Sequence, residues 1–143
     1  MNRTNLLRLA QYLDTLPTDY SHFDMKFYVQ NGGIQGGFDP INISHLSDCG
    51  TVACAVGHAP SIPGLEAAPR ERWDGYVSRV FGIRTEEYDE EFLFMFGSGW
   101  ADVDNTPAGA AKRIRYFLNH GVPDDFDCDD SDLTPFVELY ANA

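Results

Sequence analysis

Positive charge is scarce in this chain. Ten lysines and arginines stand against 22 aspartates and glutamates, a formal net charge of −12 over 143 residues. So acidic a surface repels nucleic acid and anionic membrane, and it attracts cations or basic proteins. Cysteine is scarce as well. Three is an odd number and gives no even disulfide framework. No run has the length and apolarity of a membrane span. The opening residues Met1-Asn2-Arg3-Thr4 lead into an amphipathic pattern, not the apolar core of a signal peptide. These shortages predict a soluble, cytoplasmic protein with reduced thiols that binds neither nucleic acid nor membrane. There is no internal repeat and no domain-splitting linker.

Apolar residues are plentiful, at 43% with 13% aromatic, enough to build the core of one domain. Leu6, Leu9, Ala10, Leu13 and Leu16 recur at spacings of three and four. They predict a helix over residues 5–16, with Thr4 as its cap and Pro17 as its stop. Met25, Phe27 and Val29 alternate with Lys26 and Tyr28 as in a short strand. Four glycines in residues 31–37 then read as a hairpin tip. A phosphate-cradling loop would need a strand before it, a helix after it and a nearby lysine, and that arrangement is missing.

Four more helices follow. Trp73, Val77, Val80 and Phe81 form the stripe of one over residues 70–81, closed by Gly82. Thr85 opens the next, with Glu86 and Glu87 in its first turn. It ends in the all-apolar run 92–96, expected to be the most buried segment, and Gly97. Residues 98–105 read as a loop, in which Asp102, Asp104 and Asn105 begin like a calcium loop but lack its later glycine and glutamate. Thr106 caps the clearest helix, Pro107 takes its first position and Gly121 follows its end. Ala110, Ile114, Phe117 and Leu118 are predicted inward. Lys112, Arg113 and Arg115 are predicted outward as a small basic face, neutralised by the acidic run behind it. A short last helix starts at Thr134-Pro135, with Phe136, Leu139 and Tyr140 on its apolar side.

The fold class predicted is therefore mainly α: a compact bundle of about five or six helices with a minor β-hairpin or irregular lobe around residues 25–47. Residues 1–123 read as one mostly helical domain. Residues 124–143 read as an acidic segment with a short C-terminal helix, carrying six aspartates and Glu138 and no basic residue.

Chemistry-bearing residues concentrate in Cys49-Gly50-Thr51-Val52-Ala53-Cys54-Ala55-Val56-Gly57-His58-Ala59-Pro60. Thr51 would cap a helix running to about His58, ended by Pro60, and Cys49 would stand at its entrance, where the helix dipole favours thiolate. A cysteine hydrolase would use Cys49 with a histidine such as His58 or His120 as base. Asp48-Cys49-Gly50 faintly resembles the opening of the NlpC/P60 peptidases, but no predicted strand carrying a histidine follows. Zinc would use Cys49, Cys54 and His58, with Cys128 or His45 as a fourth ligand, although Cys-x4-Cys-x3-His is not a usual spacing. The simplest reading makes both cysteines small buried hydrophobes in a close-packed hub. No cofactor is expected.

The order of features resembles that of a group of uncharacterised small bacteriophage and bacterial proteins. It comprises the leucine helix, Phe23-Asp24-Met25, the Cys-Gly-Thr-Val-Ala-Cys-x-x-Gly-His-Ala block, Phe81-Gly82-Ile83, Leu93-Phe94 and Thr106-Pro107. The resemblance spans roughly residues 4–121 and implies a phage or bacterial origin without an activity. The function expected is that of a non-enzymatic accessory protein binding a partner with a basic surface. The binding residues would be Asp124, Asp125, Asp127, Asp129, Asp130 and Asp132.

Overall fold

The computed structural model describes residues 1–30, 34–42, 52–85, 89–127 and 132–143. Within them the chain is mainly α, with six α-helices and a small three-stranded antiparallel sheet. Residues 31–33 of the hairpin tip predicted over 31–37, the cap Thr51 and the first-turn acids Glu86 and Glu87 lie outside the described residues, as do Cys49, His45, Cys128, Asp129 and Asp130; Ile34 and Gln35 of that tip are strand.

Helix α1 spans Arg3–Asp14 and buries Leu6, Leu9, Ala10 and Leu13 completely. Its cap is Asn2 and not Thr4: the Asn2 side chain accepts the Asn5 amide at 3.0 Å. Leu16 lies beyond the helix and is half-buried. Strands β1 (Val29–Gln30), β2 (Ile34–Gln35) and β3 (Val52–Ala53) make a sheet in the order β2-β1-β3. Val29 pairs with Gln35 on one side and with Ala53 on the other.

Strand β3 corrects the helix expected to begin at Thr51. The Ala53 amide donates to the His22 carbonyl at 2.9 Å, and the Ala53 carbonyl accepts from Asp24 at 3.0 Å. These long-range bonds hold the backbone extended, so helix α2 is one turn only, Ala55–His58. Pro60 does not end it outright. Lacking an N–H, it cannot continue the α pattern, and the chain tightens into a 3-10 turn over Ala59–Ser61. Here the run of small residues has a definite purpose. A Cβ on Gly57 would lie 1.9 Å from the Tyr28 carbonyl oxygen and 2.7 Å from Ala53 Cβ. Backbone cannot swing aside as a flexible side chain can, so Gly57→Ala should cost about 2 kcal/mol in urea denaturation. An unchanged midpoint would show that the Tyr28 backbone and α2 separate freely.

Helix α3, Trp73–Phe81, buries its predicted stripe and ends on Gly82 in the left-handed region at φ 67°. It starts later than residue 70 because Arg70 itself has a φ of 61°, incompatible with a helix. Helix α4, Glu90–Phe96, starts at Asp89, whose carboxylate accepts the Phe92 amide at 3.1 Å, and not at Thr85. Glu90 and Glu91 occupy its first turn. Phe94, Met95 and Phe96 are buried, while Phe92 and Leu93 stay half-buried. Residues Ser98–Asp102, expected as loop, form a 3-10 turn that buries Trp100, whose indole donates to the Phe94 carbonyl at 2.8 Å.

Helix α5, Pro107–His120, has the predicted cap, first-position proline and closing glycine. It packs chiefly on α1, with α4 and α6 on its other flanks. Helix α6, Thr134–Tyr140, buries Phe136 and Tyr140 but leaves Leu139 exposed. The contact face centres on Leu133, Phe136, Val137 and Tyr140, which puts Leu139 at its edge. Phe126 also enters the core, so the described stretches after residue 123, 124–127 and 132–143, are each anchored to the helical body by apolar side chains.

Candidate functional site

Cys54, and not Cys49, stands at the entrance to α2. Its thiol is buried. Desolvation pushes it up to about 11, against the opposing pull of the Gly57, Val56 and Cys54 amides. It is therefore a neutral thiol at physiological pH. One turn on, His58 is fully buried. Its Nε2 lies 3.0 Å from the His22 carbonyl, which can only accept, so Nε2 carries the proton and Nδ1 is a bare lone pair. Nδ1 has no hydrogen-bond partner. Burial lowers the imidazole to about 4, with the His22 and Ala53 carbonyls opposing. The ring stacks on Phe23, with centroids 5.9 Å apart and planes 11° apart, and Tyr20 covers another side.

A protonated thiol and, one turn on, a neutral, enclosed imidazole do not make an activated nucleophile of Cys54. His120 does not join it. It is exposed at the far end of α5, with its ring against Tyr116 at 4.7 Å. Among the described residues no three histidine, cysteine or acidic side chains cluster as metal ligands.

The most concentrated polar chemistry lies elsewhere, around Arg113. The outward basic face predicted for this residue is corrected: Arg113 is fully buried. Its guanidinium lies over Trp100 at 4.4 Å and over Tyr140 at 5.5 Å. Nη1 reaches the Tyr140 hydroxyl at 3.3 Å and the Asp104 carboxylate at 3.7 Å. Tyr140 in turn donates to Asp104 Oδ2 at 2.7 Å, and Thr106 donates to Oδ1 at 2.7 Å. Nε and Nη2 have no partner. Desolvation lowers the guanidinium pKa, opposed by Tyr140 and Asp104, yet an arginine stays cationic. Gly109 makes room for the carboxylate, since a Cβ there would meet Asp104 Oδ2 at 2.1 Å. A signal for this burial is present in the spacing: 113 lies three after Ala110 and four before Phe117, on the inner face. Among the described residues the other two cations make no ion pair with the acidic run. Arg115 pairs with Asp14 of α1, and Lys112 is half-buried.

The described acidic residues of the C-terminal segment fall on the outside. Asp124, Asp125, Asp127 and Asp132 are exposed. Asp132 also accepts the Thr134 amide at 3.0 Å, which seats it at the start of α6. Between and beyond them Phe126, Leu133, Phe136 and Tyr140 are buried. In the sheet lobe, Phe38 is 78% exposed and Ile34 61% exposed. No helix among the described residues is long and apolar enough to cross a membrane. Comparison with protein-family models, with curated protein sequences and with solved structures gives no match.

Proposed function

We propose that this protein is a non-enzymatic accessory protein, of phage or bacterial origin and acting in the cytoplasm, that binds a protein with a basic surface. The observation that carries this reading is the anchoring of the acidic segment. Phe126, Leu133, Phe136 and Tyr140 fix it to the core, so Asp124, Asp125 and Asp127 are held at set positions on the surface. Carboxylates held in place lose less entropy on meeting a partner than carboxylates on a loose tail. Their field, added to the net charge of −12, steers a basic partner inward and disfavours nucleic acid. The raised thiol and lowered imidazole of Cys54 and His58 support a non-enzymatic role, and the phage or bacterial origin rests on the resemblance of the Cys-Gly-Thr block.

The test is capture from a bacterial lysate by the intact chain and by a variant carrying Asp124→Asn, Asp125→Asn and Asp127→Asn. Removing the whole segment is a poor test, because it would strip Phe136 and Tyr140 from the core. The intact chain should retain a specific protein at low ionic strength and release it as salt rises. The variant should lose it while melting at the same temperature. Equal retention by both chains would remove the acidic face from the binding surface.

A further inference from the structure

Three hollows on this protein share walls. One, of about 440 Å³, lies between the sheet lobe and α3 and is lined by Tyr28, Gly37, Phe38, Asp74 and Thr85. The second, of about 170 Å³, also has Tyr28 in its wall and continues over Phe27, Cys54, Phe92 and Leu93 to Gly97 and Ser98. The third, of about 150 Å³, again takes in Leu93, Gly97 and Ser98 and ends on Phe126 and Asp127. Tyr28 joins the first to the second, and the Leu93, Gly97 and Ser98 wall joins the second to the third. The half-burial of Phe92 and Leu93, in a run expected to be wholly buried, follows from this: they form a groove wall.

We propose that the three hollows form one docking groove for an extended segment of the basic partner, with an apolar side chain seated between two cationic ones. The inference rests on the protein-binding reading above and specifies what that partner presents. The first hollow offers a carboxylate and two aromatic rings to a cation. Asp74 keeps Oδ1 on the Gly75 amide at 2.9 Å, and Oδ2 has no partner among the described residues. Tyr28 is held by stacking on Trp73, with centroids 5.2 Å apart and planes 13° apart, and Phe38 stands almost wholly exposed beside it. An ammonium or guanidinium gains from both the carboxylate and the ring faces. The middle hollow is apolar. A cavity of about 150 Å³ accommodates a benzene ring, so this one takes a single leucine or phenylalanine side chain. Lys26 in its wall repels a cation there, which sends the partner's charges to the two ends. At the far end Asp127 supplies negative charge again. Phe38 is the kind of exposed aromatic that anchors an interface.

The probe is a set of synthetic peptides, acetylated and amidated, with a central leucine between two lysines. Spacers of one, two or three glycines scan the separation. One peptide should shift the amide resonances of Phe38, Leu93 and Asp127 together and saturably. Glutamine in place of the lysines, or serine in place of the leucine, should abolish the shifts. Ser98→Arg places a cation at the exposed joint between the second and third hollows and should weaken binding about tenfold without lowering the melting temperature. Asp74→Asn should weaken binding and flatten its salt dependence. Shifts confined to one hollow, or unaffected by Ser98→Arg, would overturn a continuous groove. Salt-sensitive capture from lysate with no peptide shift overturns the groove alone. Peptide shifts without capture keep the groove, Asp127 included, and remove Asp124 and Asp125 as the binding element.

Discussion

Asp104→Ala should destabilise this protein by about 4 kcal/mol, a large fraction of the stability of an ordinary domain. The variant leaves the Arg113 cation buried with no counter-charge. It also removes the acceptor of the Tyr140 and Thr106 hydroxyls, and Thr106 is the cap of α5. Arg113→Met should cost far less, about 1 kcal/mol or under. Methionine fills similar space between Trp100 and Tyr140, the Tyr140–Asp104 bond survives, and two unpaired guanidinium nitrogens disappear. The double variant should then be more stable than Asp104→Ala alone, because the charge that needed pairing is gone. Guanidinium denaturation of the four proteins measures this coupling. Additive losses would mean that Arg113 and Asp104 do not act as a pair.

The second large effect is a loss of stability in mild acid that traces to His58. In the unfolded chain its imidazole takes a proton near pH 6.5, whereas in the folded protein it resists down to about 4. Between those values the unfolded state binds more protons, so stability rises with pH and falls as pH drops through this window. The contribution is complete above about pH 6.5 and exhausted below about 4. From pH 7 to pH 4.5 the group alone should remove about 2.5 kcal/mol. His58→Gln keeps an N–H for the His22 carbonyl and cannot titrate, so its stability should change less over the same range by about that amount. Parallel pH profiles for the two proteins would show that His58 is accessible to protons in the folded state.

Arg113 also marks where local sequence stops being informative. Helix α5 is legible in full from local chemistry: a threonine cap, a proline in the first position, an apolar stripe and a glycine past the end. Helix α1 is legible in its stripe and off by two residues at its cap, because Asn2 and Thr4 are both competent caps and the choice depends on where the chain arrives. Arg113 is misread for a different reason. Spacing places it on the inner face and charge places it on the outer one. Charge carries the greater weight because an isolated buried cation is costly. Its partners, Asp104 and Tyr140, lie 9 and 27 residues away, and nothing local shows that they converge.

The Cys49–Pro60 stretch divides in the same way. Its small residues foretell close packing, and Gly57 against the Tyr28 carbonyl is that packing. Its secondary structure does not follow from its own composition, because strand β3 exists only through backbone bonds to His22, Asp24 and β1. The sequence by itself determined the mainly helical class, the strongest helix limits, the apolar stripes and the acidic excess, all of which depend on neighbours within a few residues. Tertiary structure alone decided that Cys54 rather than Cys49 opens α2, that Arg113 is interior, and that the C-terminal acids ride on an anchored segment. Each of those outcomes is set by which distant groups desolvate a side chain or occupy its hydrogen bonds.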